Sequence, residues 1–164
     1  MDEDLILSKL ESLSRCLVRI VEKTPATAEA LKADLDRQDI IAVNLERAVQ
    51  ACVDIGLHII SQRSRLLPDS MAGTFLSLAE LGVIDNHTAA VMRKTVGFRN
   101  TAVHAYRTIN WDIVFSICTR HLDDFRSFAR QVLGAPIQIA TLYLYHNLYP
   151  RLFLAKLSHQ FVLL

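Results

Sequence analysis

The chain is poor in the residues that interrupt helices. It carries five glycines and four prolines among 164 residues. That scarcity, with abundant Leu, Ala, Arg and Glu, excludes a turn-rich β fold and favours helices. Cysteine is also scarce. Cys16, Cys52 and Cys118 are isolated, odd in number and never arranged as CxxC, which argues against a disulfide framework and against zinc. Each falls on a helical stripe, as a small buried thiol does. The six histidines (His58, His87, His104, His121, His146 and His159) form no HxxxH or HxxE pair, so no metal is expected. GxGxxG, GK[ST] and GxSxG are all missing, and no cofactor is expected. No apolar run reaches the roughly 20 residues of a membrane span. The start, Met1-Asp2-Glu3-Asp4, is acidic and lacks a signal-peptide layout, so a cytoplasmic protein is expected. With a net charge of +1, the molecule is no polycation, and any affinity for nucleic acid must come from local patches.

One absence is local. After Asp85 the next acidic residue is Asp112, and Arg93, Lys94, Arg99 and Arg107 lie between them. Within eight residues of this stretch come Arg99, Asn100, His104 and Tyr106. A segment with cations, an imidazole and no carboxylate suits a negatively charged ligand, with phosphate the obvious candidate.

What is present reads as helices. Residues 4–23 place Leu5, Leu10, Leu13, Leu17, Ile20 and Val21 at three- and four-residue steps, and Thr24-Pro25 stops the helix. Residues 27–36 predict one short turn around Leu31 and Leu35. Residues 38–63 predict the longest helix, through Ile41, Leu45, Val49, Cys52, Ile55 and Ile59. Beside that stripe run Asn44, Arg47, Gln50, Asp54 and His58. Such a polar row either faces solvent or lines a groove, and spacing alone favours solvent. A short helix over 71–82 follows, capped by Asp69 or Ser70 and closed by Gly82. Asp85 caps a helix from 86 to about 105, and Asn110 or Asp112 starts another over 111–133, stopped by Gly134. The expected fold is all-α, an antiparallel bundle over residues 1–134. Residues 135–164 contain no Asp or Glu and form an atypical apolar tail.

The motif permits definite chemistry. A histidine takes and gives a proton near neutrality. An arginine holds a phosphate bidentately and stabilises charge growing on its oxygens. Together they suffice for metal-independent cleavage of RNA. The imidazole removes the ribose 2′ proton, the 2′ oxygen attacks phosphorus, and a 2′,3′-cyclic phosphate results. On an ideal helix Asn100 and His104 share a face, while Arg99 and His104 point roughly 140° apart. One histidine per chain is thin for two proton transfers, and a symmetric dimer would supply two. Plainer roles compete: an arginine near a helix end complements the dipole, and Tyr106 would bridge core and water.

Arg99-Asn100-Thr101-Ala102-Val103-His104-Ala105-Tyr106 resembles the Arg-x4-His-x-Tyr signature of the HepT-type HEPN-domain toxins. The framework is similar too, in Leu10-Glu11-Ser12-Leu13, Asn44-Leu45-Glu46-Arg47-Ala48, Asp54-Ile55-Gly56, Leu81-Gly82-Val83-Ile84 and Leu122-Asp123-Asp124-Phe125. The resemblance covers about residues 1–134. It implies a four-to-five-helix HEPN bundle, homodimeric, with both motifs at a shared cleft. It implies an RNA endonuclease, acting on tRNA or mRNA, that is the toxin of a type II toxin–antitoxin pair. Its partner would be a minimal nucleotidyltransferase (MNT) antitoxin able to adenylylate Tyr106. Arg99 and His104 are then catalytic, Asn100 supports them, and AMP on Tyr106 would repel incoming RNA. The competing expectation is a HEPN module that binds a nucleotide or partner without cutting RNA. The tail departs from the pattern, since HepT-like chains usually end near the position of Gly134.

Overall fold

The computed structural model describes residues 3–63, 66–104 and 109–134. The expected tail over 135–164 lies outside the described residues. Among those residues every regular element is helical: α1 (Glu3–Lys23), α2 (Ala28–Lys32), α3 (Leu35–Arg63), α4 (Met71–Glu80), α5 (Asn86–His104), α6 (Trp111–Ser116) and α7 (Leu122–Leu133). A π-helical turn, Ile117–His121, joins α6 to α7. None of the described helices is long and apolar enough to cross a membrane.

The core is built on α3. Ile41, Leu45, Ala48, Val49, Cys52, Ile55 and Ile59 are all at most 2% exposed, which is the predicted stripe. Leu13, Leu17 and Ile20 of α1 are buried with them, as are Phe75 and Leu78 of α4, Met92 of α5, and Phe125 and Phe128 of α7. Burying a side chain of this size contributes about 1.5–3 kcal/mol. Phe75 meets Phe128 edge to face, with centroids 5.7 Å apart and planes at 84°, the arrangement that ring quadrupoles favour. Where α3 passes α4 there is room only for Gly56. A Cβ there would lie 2.5 Å from Thr74 Cγ2 and 3.0 Å from Leu78 Cδ1.

The helix ends follow side-chain chemistry. Ser70, not Asp69, caps α4, its hydroxyl accepting from the Gly73 N–H at 3.0 Å. Gly82, at φ +68°, closes the same helix. Its N–H donates to the Ala79 carbonyl, and the Val83 N–H donates to the Leu78 carbonyl, a Schellman arrangement. Asn110, not Asp112, caps α6. Asp112 instead accepts from Lys32 Nζ at 2.7 Å, linking α2 to α6.

Three expectations are corrected. The turn over 27–36 is two elements: α2 ends at Lys32, and Leu35, 72% exposed, is the first residue of α3. The Asp34 carboxylate accepts from the Arg37 N–H at 3.0 Å, so α3 begins three residues before the predicted 38. Gln38 turns back to donate to the Leu31 and Lys32 carbonyls at 2.9 and 3.0 Å, which satisfies the end of α2. The helix over 111–133 is not uniform, because the π turn interrupts it; apolar periodicity does not detect one inserted residue.

Candidate functional site

The site helix, α5, is anchored at its start. The Thr88 N–H donates to Asp85 Oδ1 at 2.6 Å. From α7, Gln131 Nε2 donates to Asp85 Oδ2 and to Thr88 Oγ1, both at 2.9 Å, while Gln131 Oε1 accepts from the Asp85 N–H at 2.7 Å. These donors, the Thr88 N–H first, hold the Asp85 carboxyl below its ordinary value. The end of α7 therefore fixes the start of α5. Ala89, Met92 and Val96 bury one face and set the rotation of the helix.

That rotation decides what the motif presents. Arg93, Gly97, Asn100 and His104 follow at steps of four, three and four, and all four are exposed. They make one solvent-facing stripe on the C-terminal half of α5. Nothing lies within 4 Å of where a Gly97 Cβ would be, so the backbone there is open to close approach. Arg99 lies on the other side, half-buried. The helix runs unbroken to His104, so the roughly 140° between Arg99 and His104 is not removed by distortion. Among the described residues, no hydrogen bond or ion pair joins Arg99, Asn100 and His104. Asn100 and His104 are brought to one face, and Arg99 must extend its long side chain to join them. Tyr106 lies outside the described residues.

Four of the five residues in the polar row of α3 are corrected from solvent face to groove wall, and His58 does not line the groove. Asn44, Arg47, Gln50 and Asp54 face Lys9, Arg15 and Arg19 of α1 across a groove of about 480 Å³. Lys9 Nζ reaches Asp54 Oδ2 at 2.6 Å, and Gln50 Nε2 reaches Asp54 Oδ1 at 2.8 Å. Only the side chains of α1 make this a groove, and spacing within α3 carries no record of them. The three cysteines are buried, as expected. Burial pushes Cys16 and Cys52 up, and pushes Cys118 up to about 11.

A second cavity was not anticipated. It has a volume of about 600 Å³ and lies between α5 and the α6–π–α7 arm. Phe98, Ile109, Ile113 and Ile117 supply apolar walls, and Lys94 and His121 supply polar groups. The only signal in the sequence was the spacing of Lys94, Phe98 and Thr101, which places them on one side of α5.

Comparison with known proteins identifies the family. The family model Ribonuclease HepT-like matches residues 13–132. An mRNA nuclease HepT from Shewanella oneidensis is 36% identical over 125 residues, covering 76% of this chain and 93% of the relative. A tRNA nuclease HepT from Aphanizomenon flos-aquae is 23% identical over 128 residues, covering 78% and 87%. Among solved structures, a tri-AMPylated Shewanella oneidensis HEPN toxin in complex with MNT antitoxin matches with a TM-score of 0.75 at 34% identity, covering 81% of this chain and 98% of that one. A toxin–antitoxin with AMP-PNP also matches with a TM-score of 0.75 at 34% identity, covering 79% and 98%. On this agreement of sequence and fold, the chain belongs to the HepT-like ribonuclease family.

Proposed function

We propose that this protein is the toxin of a toxin–antitoxin pair and acts as a metal-independent RNA endonuclease in the cytoplasm. The observation that carries the reading is the exposed Asn100–His104 face at the end of α5, with Arg99 one residue away, in a chain of this family. His104 takes the proton from a ribose 2′-hydroxyl, and the 2′ oxygen attacks the adjacent phosphorus. Arg99 stabilises the added charge on the phosphoryl oxygens. The 5′ oxygen leaves with a proton from a second imidazole, and one product end carries a 2′,3′-cyclic phosphate. The second imidazole is His104 of another copy, so the active form is a homodimer with both motifs at one cleft. Asn100, one turn before His104, orients the ring.

Silencing is the other half of the reading. The relative seen with MNT antitoxin is tri-AMPylated, and Tyr106 follows His104 by two residues, where the family signature has its tyrosine. AMP on that phenol adds bulk and negative charge where RNA must enter. A nucleotidyltransferase antitoxin of the MNT type is the proposed partner.

Expression without the partner is expected to arrest growth, and His104→Ala is expected to restore it. Arrest that persists in both His104→Ala and Arg99→Ala would remove the catalytic assignment. If the protein binds nucleotide or partner but leaves tRNA and mRNA intact, it is a binding module instead.

A further inference from the structure

We propose that the cavity between α5 and the α6–π–α7 arm is a nucleotide pocket, which receives the RNA residue next to the one cut. This extends the ribonuclease reading given above. The cavity begins where the motif face ends. Thr101 lines it, and Thr101 and His104, three residues apart on one helix, point about 60° from each other. Lys94 and Phe98 continue round the same side of α5. A strand with its scissile phosphate at Asn100 and His104 therefore has this cavity beside it on α5.

The lining suits a base attached to a phosphate. The volume of about 600 Å³ falls within the roughly 300–1,000 Å³ typical of small-molecule sites. Phe98, Ile113 and Ile117 offer apolar surface to a planar base. Ile113, which lines the cavity, is 57% exposed and so is open to a ligand. At the polar side stands Lys94, which makes no hydrogen bond or ion pair among the described residues. His121 also lines the cavity, and its Nδ1 lies 3.3 Å from Asp124 Oδ2. That carboxylate also lines the cavity. It holds the ring with Nδ1–H as donor and leaves Nε2 for a ligand. His121 and Ile117 bound the π turn, and such turns collect at functional sites because the inserted residue re-aims the side chains beside it.

The test uses the full-length His104→Ala protein, so that RNA cleavage does not interfere. AMP, CMP and inorganic phosphate are titrated in turn and followed by calorimetry and by the emission of the single tryptophan, Trp111. Both nucleotides are expected to bind saturably and more tightly than phosphate. Lys94→Ala should weaken them about tenfold or more. Phe98 also packs on the core, so the apolar wall is tested with the exposed Ile113→Asn, which should lower nucleotide affinity and spare phosphate. Arg47→Ala, in the other groove, should change nothing. Absence of saturable binding, or binding indifferent to Lys94→Ala and Ile113→Asn, overturns the pocket and leaves the ribonuclease reading standing. Nucleotide binding with these responses, in a protein whose His104 form cuts no RNA, leaves a nucleotide pocket but overturns its assignment to a residue beside the cut, along with the ribonuclease reading.

Discussion

His104 closes α5 with its ring exposed, one turn beyond Asn100 and far round the helix from Arg99. Residue type and order were enough to nominate all three, because only an imidazole and a guanidinium among nearby groups suit proton transfer and phosphate charge. What the order could not convey is which neighbours share their face. Arg93 and Gly97 complete the exposed stripe, a fact that depends on Met92 and Val96 being the buried side. Lys94 and Phe98 turn instead toward a cavity whose far wall is supplied by α6 and α7. At this scale the proposed switch makes a clean prediction. Tyr106→Phe should retain RNA cleavage within a few-fold of the parent, because the phenol has no part in the chemical step. Incubated with an MNT-type partner and ATP, it should gain no AMP by intact mass and should stay active. Silencing of Tyr106→Phe to the same degree as the parent would place the modification elsewhere.

Helix existence was legible from period and caps, since the stripe of α3 and most of that of α1 needed no tertiary information to appear; Leu5 and Val21, counted in the α1 stripe, are 40% and 53% exposed. The boundaries were less so. Asp34 moved the start of α3, and the π turn broke the last helix, because one capping carboxylate or one inserted residue leaves the apolar spacing almost unchanged. Two predictions belong to the elements. Gly56→Ala places a methyl against the Thr74 and Leu78 side chains, which must move or carry α4 away from α3. Overpacking of this kind costs about 1–3 kcal/mol, and urea denaturation should report it as a lowered midpoint. The second concerns the clamp on α5. Asp85 titrates below its ordinary value of 3.8 when folded. Its contribution is therefore complete above pH 3.8 and is lost as pH falls through the lowered folded value. Asp85→Asn removes this dependence, so melting temperature in that variant should fall less steeply with acid than in the parent. Parallel curves would show that the carboxylate contributes nothing to the acid response.

For the whole molecule, the single histidine of the motif matters most. Cleavage moves two protons, and the unbroken α5 gives each chain one exposed imidazole at the motif. Two copies at one cleft satisfy the count. If both are required, mixing His104→Ala chains into wild type lowers activity as the square of the wild-type fraction. An equal mixture should then retain about a quarter of the activity if chains pair at random. Loss to one half would mean that each protomer works alone. The periodicity of one chain carries no sign of such a pairing; it is proposed from the chemistry of the step and from the family resemblance. The central claim, metal-free attack by a ribose hydroxyl under His104, is tested most directly on one defined RNA oligonucleotide in EDTA, with product ends read by mass spectrometry. The expected result is a 2′,3′-cyclic phosphate from the parent, no cut at a position whose 2′-hydroxyl is replaced by hydrogen, and a loss of about 100-fold or more in His104→Ala. Activity abolished by EDTA, or an undiminished cut by His104→Ala, would contradict it.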